Sequence, residues 1–179
     1  MECRTGKTLT ALYAADKFNA KSVLFITKLK AIPSVKNDYI ALQPSFKLEV
    51  VNFESSHKVT VKYDLVIIDE AHSLGAYPKP SKRTQEIRTI CEGLPVLYLS
   101  GTPSPESYSQ LYHQFWVCSK SPWKSYKSFY KWAKEYVYTR QKRVNGYLIN
   151  DYSCANKPKI DNDTRNLFIS YSQEQAGFE

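Results

Sequence analysis

Leu65-Val66-Ile67-Ile68-Asp69-Glu70-Ala71-His72 is the stretch on which the reading of the fold turns. Four consecutive aliphatic residues run straight into two acids, as in a parallel-sheet strand covered on both faces. In open α/β sheets the working groups sit just beyond the carboxyl ends of the strands. The two acids therefore read as part of a site. The competing reading, a solvated acidic turn, leaves the apolar run before them without a purpose.

Outward from this stretch the chain alternates helical and strand-like patterns. Residues 8–18 have helix-forming composition, with Leu9, Leu12 and Ala15 on one face, and residues 22–27 read as a buried strand. A helix is predicted over 31–42, a strand over 46–53, a helix over 80–91 and a strand over 95–99. Such alternation predicts an α/β fold with a parallel sheet and flanking helices. Beyond Pro105 the texture changes. Helices are predicted over 106–117 and 126–137, a tight hairpin at Val144-Asn145-Gly146-Tyr147 and a last strand over 167–171.

With 179 residues, 42% hydrophobic and 23% charged, the composition is that of an ordinary globular domain and excludes a disordered chain. No apolar run approaches the roughly 20 residues of a membrane span, and the first residues are polar. The expectation is a soluble, cytoplasmic protein with no membrane partner. Cys3, Cys91, Cys118 and Cys154 form no CxxC pair, and the three histidines are equally scattered, so free thiols and no zinc are expected. The net charge of +8 is concentrated: residues 119–147 hold eight basic residues against Glu135 and carry +7 of it. Such a stretch favours an anionic partner.

Three short motifs carry chemistry. Gly6-Lys7-Thr8 opens a predicted helix, whose unpaired N–H groups and partial positive charge suit phosphate. There the lysine can reach phosphate oxygens and the threonine hydroxyl can ligate Mg²⁺. The full P-loop pattern asks for a glycine at position 1, where this chain has Met1. Asp69 can hold Mg²⁺, and Glu70 can orient or deprotonate an attacking water. Ser100-Gly101-Thr102-Pro103 ends the strand over 95–99 and, taken alone, is a glycine–proline turn. Lys7 and Asp69 are 62 residues apart, and Asp69 and Ser100 are 31 apart, enough for the intervening strand–helix units.

In this order GKT, DEAH and SGTP resemble motifs I, II and III of superfamily 2 helicase-like ATPases. The start of the chain is similar to the Snf-type branch, whose first motif lacks the early glycine. Ile26-Thr27-Lys28, Val51-Asn52-Phe53-Glu54 and the stretch from Ser104 to Trp116 extend the likeness to phage-type members. The resemblance implies a RecA-like P-loop domain over 1–118, a basic aromatic helical and hairpin extension over 119–166, and over 167–179 the start of a linker toward a second RecA-like domain. It implies that Thr5, Gly6 and Lys7 bind the phosphates of ATP with His72 nearby, and that Thr8 and Asp69 hold Mg²⁺. Lys7, Asp69 and Glu70 would be catalytic. Ser100, Gly101 and Thr102 would couple nucleotide to DNA, and Thr27, Lys28, Asn52, Lys124 and Lys127 would touch DNA. Cys3 stands where the family usually has methionine.

In 119–147 the rings alternate with cations, which suits stacking of bases in a cationic groove. Tyr126, Phe129, Tyr130, Ala133, Tyr136 and Val137 recur at helical spacing, however, so core packing is the expected role of the rings. For Lys124, Lys127, Lys131 and Lys134, a solvated stripe and a phosphate-facing one remain equal alternatives.

A P-loop ordinarily follows a strand, and in RecA-like sheets that strand is expected between those carrying the second and third motifs. Its residues are missing here, so two strand edges are expected to lack a partner. The second RecA-like domain, which in the family supplies arginine fingers, is likewise missing. The sequence is therefore read as the N-terminal ATP-binding half of a DNA-dependent ATPase, truncated at both ends and poorly active alone. The alternative is a stand-alone scaffold that binds DNA or a partner protein without turning over ATP.

Overall fold

The computed structural model describes residues 6–170 and 174–175. Its centre is a four-stranded parallel sheet in the order β2-β1-β3-β4, formed by β1 (Ser22–Thr27), β2 (Lys47–Asn52), β3 (Leu65–Ile68) and β4 (Val96–Tyr98). Alternate residues of the strands feed two separate cores. Val23, Phe25, Leu65 and Ile67 pack with Ala11, Leu12 and Ala15 of α1 (Lys7–Lys17) and Val35 of α2 (Ile32–Leu42). Leu24, Ile26, Val66 and Ile68 pack with Ile87 of α3 (Lys82–Ile90) and with Cys91. Helices thus cover both faces, and every residue of β3 is buried, which is why β3 could not alternate apolar with polar.

Two carboxylates pin the open ends. Asp64 accepts hydrogen bonds from the backbone N–H groups of Lys21 and Ser22, fixing the starts of β1 and β3 side by side. Asp16 accepts from Ser45 N–H and hydroxyl, tying the end of α1 to the approach of β2. These bonds favour the ionised form, and both carboxyl groups titrate below the usual carboxylate range.

The expected gap between the second- and third-motif strands is not found. β3 and β4 pair directly, Val66 opposite Val96 and Ile68 opposite Tyr98, so their facing edges satisfy one another. Among the described residues the two edges without a partner strand are the far sides of β2 and β4.

Beyond β4 come α4 (Gln110–Trp116), α5 (Phe129–Tyr136), the antiparallel hairpin β5 (Arg140–Val144) with β6 (Tyr147–Asp151), and α6 (Lys157–Thr164), which the sequence pattern did not suggest. The helix predicted from 106 starts later because Gln110 Oε1 accepts from the N–H groups of Glu106 and Ser107, holding that segment as a turn. The helix predicted from 126 starts at Phe129 because Ser128 caps it. No strand forms over 167–170, where Leu167 and Ile169 are exposed. A third core unites Leu111 and Tyr112 of α4, Trp123, Phe129, Trp132, Tyr136 and Ile160. Trp132 stacks on Tyr136 with centroids 5.0 Å apart, and Asp163 of α6 accepts from both Tyr136 OH (2.6 Å) and Trp123 Nε1 (3.1 Å). Core packing is therefore the structural outcome for Trp123, Phe129, Trp132 and Tyr136, with Tyr126 partly buried against them, whereas Tyr130, Tyr138 and Tyr147 are exposed.

His113 on α4 is buried against Phe129 and Trp116, and its Nδ1 lies 2.6 Å from the carbonyl oxygen of Ala76. Burial lowers its pKa to about 4 from the ordinary 6.5, although the Ala76 bond pulls the other way. The folded chain therefore keeps this imidazole neutral where the unfolded chain would protonate it. Its stability contribution is complete above pH 6.5 and is lost as pH falls toward 4, about 3 kcal/mol across the window. Thermal melts at stepped pH are expected to show a steeper acid decline for the wild type than for His113→Gln; parallel declines would refute the assignment.

Candidate functional site

The site is built where β1, β3 and β4 end. The ladder aligns Ile26 with Ile68, so the next residues, Thr27 and Asp69, come together: Asp69 N–H donates to the Ile26 carbonyl at 2.8 Å, and Thr27 Oγ1 donates to Asp69 Oδ2 at 2.8 Å. Asp69 Oδ1 accepts from the N–H of Glu70 at 2.9 Å. Both oxygens of Asp69 are thereby oriented before any ligand arrives. Glu70 sits in the left-handed region, φ 51°, a turn that carries its side chain away from the strand direction.

From Glu70 the network continues sideways. Its Oε1 accepts from Lys28 Nζ at 3.0 Å, and its Oε2 is 3.4 Å from His72 Nδ1. The same imidazole nitrogen is 3.1 Å from Ser100 Oγ, which accepts from the N–H of Thr102 at 3.2 Å. Asp69, Glu70, His72 and Ser100 are all half-buried, so this polar chain is shielded but reachable. One polar network thus joins the loops after three adjacent strands.

The first motif approaches it through Lys7, which shares a cavity with Ser100. Gly6, φ 71°, is the left-handed N-cap of α1 and, being glycine, brings no capping side chain to the first turn. Among the described residues a Cβ there would meet nothing within 4 Å, and the positive φ is what favours glycine. The Thr10 hydroxyl donates to the Gly6 carbonyl at 3.0 Å, while Lys7 and Thr8 remain half-buried at the helix start. Lys7, Ala71, Ser100 and Gly101 line one cavity of about 760 Å³, which continues along the free edge of β4 between apolar walls that include Ala11 and Leu97. Its polar end is where the first and third motifs meet.

A helix start, a lysine, a threonine hydroxyl and an oriented carboxylate are the donor types that a magnesium–phosphate group asks for; of these Lys7 lines the cavity, and Thr8 and Asp69 do not. Among the described residues no cluster of three His, Cys, Asp or Glu side chains is grouped to hold a metal, and Cys91, Cys118 and Cys154 are free. Thr5 and Cys3 lie outside the described residues.

The residues expected to touch nucleic acid separate into two kinds. Thr27 is fully buried with its hydroxyl committed to Asp69, so it positions a site carboxylate and offers no surface contact. Asn52 Oδ1 accepts from Ser55 N–H and caps a short 3-10 helix over Phe53–Lys58. Lys28 is largely exposed although paired with Glu70, and Lys124 and Lys127 are exposed on the turns before α5. The Lys28–Glu70 pair and the Thr27–Asp69 bond escaped the sequence reading because both depend on strand register.

Position in the fold also depends on Gly75, just past the site. A Cβ at this residue would lie 2.8 Å from Gln110 Cβ and 2.9 Å from the Gln110 carbonyl oxygen, so the loop after His72 packs directly on α4. No helix among the described residues is long and apolar enough to cross a membrane.

Replacing Thr27 by valine keeps its shape but deletes the donor to Asp69. Chemical denaturation is expected to show a loss of about 1–3 kcal/mol for Thr27→Val and much less for Thr27→Ser. Equal losses in the two variants would show that packing, and not the hydroxyl, is what matters. No protein-family model matches this chain, and no curated protein matches it.

Proposed function

We propose that this chain is the ATP-binding half of a DNA-dependent, helicase-like ATPase with a P-loop fold. The observation that carries the reading is that Lys7 at the start of α1 lines one cavity with Ser100 and Gly101 after β4, while Glu70 after β3 reaches Ser100 through His72. A four-stranded parallel sheet with helices on both faces is compatible with that fold.

In this reading Gly6 and Lys7 hold the phosphates of ATP, and Thr8 and Asp69 hold Mg²⁺. Bound ATP supplies the transferable phosphoryl group, and Mg²⁺ neutralises its charge. Glu70, held between Lys28 and His72, orients a water and accepts its proton. His72 and Ser100 link that carboxylate to the turn at Gly101 and Thr102, so a change at the glutamate reaches the third motif through hydrogen bonds. Lys28, Lys124 and Lys127 offer cations to DNA phosphates, contacts that are independent of sequence and weaken with salt. A second RecA-like domain, the expected source of arginine fingers, would complete the motor.

Titration with a fluorescent ATP analogue in the presence of Mg²⁺ tests the reading. Lys7→Ala is expected to weaken binding at least tenfold with an unchanged melting temperature, and Asp69→Ala to abolish the Mg²⁺ dependence. Glu70→Gln should bind as the wild type does but turn over more slowly. Binding of the analogue that ignores Lys7 would sink the ATPase reading and favour a scaffold that engages DNA or a partner protein.

A further inference from the structure

The β5–β6 hairpin has no core of its own. Every residue from Arg140 to Asn150 is exposed, and none belongs to the three apolar clusters. A lone two-stranded hairpin is marginal in water. This one nevertheless carries Val144, Tyr147, Leu148 and Ile149 into solvent, with Tyr147 76% exposed at the tip. Its turn is well made: Asn145 (φ 48°) and Gly146 (φ 83°) supply the two left-handed residues that a two-residue hairpin turn asks for.

Its base is fixed. The bridge between Val137 and Ala155 and the bond from Tyr138 N–H to the Cys154 carbonyl close the stem. Ser107 Oγ donates to the Ser153 carbonyl at 2.7 Å, and Ser109 Oγ donates to the Tyr152 carbonyl, which joins the stem to the segment leading into α4. The arm therefore projects from a stem that is hydrogen-bonded to the segment leading into α4.

Its three cations, Arg140, Lys142 and Arg143, outnumber its one acid, Asp151, and lie on both faces. The register puts Arg140 and Lys142 on one face and Arg143 on the other. Among the described residues, Lys142 pairs with Asp151 at 3.5 Å, while Arg140 and Arg143 have no carboxylate partner. A flat anionic surface would engage one face of such a ribbon and leave the other unused. A groove with phosphates on both walls engages both, and the major groove of B-form DNA is wide enough for a two-stranded ribbon of this kind. The A-form groove of double-stranded RNA is too narrow.

We propose that the β5–β6 hairpin is a DNA-binding arm that seats in the major groove of a duplex, its cations on the phosphates of both walls and its apolar tip toward the base edges. The inference shares with the proposed function only the identity of the partner; it does not need ATP.

The test uses the whole chain and a labelled 20-base-pair DNA duplex, with affinity read by fluorescence anisotropy over a range of salt. The triple variant Arg140→Ala, Lys142→Ala, Arg143→Ala is expected to bind at least tenfold more weakly at low salt, with a log–log salt slope shallower by about three. Arg140→Lys with Arg143→Lys should retain most of the affinity. A charge-matched control, Lys30→Ala with Lys36→Ala and Lys47→Ala, removes three exposed cations from the sheet region and should change it little. An equal loss in that control, or an equal loss on single-stranded DNA or duplex RNA, overturns the assignment. So does binding of the wild type to acidic lipid vesicles without binding to DNA. Titration with the ATP analogue separates the two readings. Hairpin-dependent DNA binding alongside Lys7-independent nucleotide binding would uphold the arm and sink the ATPase. Lys7-dependent nucleotide binding with DNA affinity indifferent to the hairpin would do the reverse.

Discussion

Strand β3 is the constraint on which the rest depends. It is paired on both edges, to β1 and β4, and covered on both faces, so none of its side chains can be polar without losing water for nothing in return. The first position at which a charge becomes tolerable is the first one past the sheet, and that position is Asp69. Burial of Leu65 to Ile68 thus fixes where the acids emerge. The parallel ladder with β1 then decides what they meet: Thr27, one residue beyond the last aligned pair, reaches Asp69 because Ile26 is aligned with Ile68. A shift of the register by a single residue would separate them.

That alignment produces a polar network with little slack. Asp69 is held by a hydroxyl and a backbone N–H, Glu70 by Lys28, and His72 stands between Glu70 and Ser100. A half-buried network of this kind is worth more when complete than its separate bonds suggest, because each bond strengthens its neighbours in a poor dielectric. In the proposed ATPase it has a second use: the glutamate that would handle the water touches a surface lysine on one side and the third-motif serine, through His72, on the other. Nucleotide state and surface contacts are then linked by short polar contacts and need no long mechanical path.

The aromatic extension performs a different task. Its rings bury one another, with Trp132 fully enclosed in the core that α4 and α6 share, and the cations are left outside by that packing. Because α4 belongs to the aromatic core and also touches the Gly75 loop, the extension is mounted on the site and not merely tethered after it. The β5–β6 hairpin inherits that mount, which makes its exposed ribbon a positioned arm.

The sequence by itself determined the layered α/β arrangement, the positions of β1 and β3 to the residue, and the three motifs, because those features rest on local rules: apolar runs, helix periodicity and glycine before a helix start. The Asn145-Gly146 turn was legible for the same reason. Only the tertiary structure decided which strands are neighbours, and it paired β3 with β4 directly where a gap had been expected. It also turned Thr27 inward to Asp69, turned Tyr130 outward, formed α6 and left 167–170 without a strand. All of these depend on contacts between residues distant in the chain. Propensity cannot reach them, because the free energy that selects one partner over another is released only when the surfaces meet.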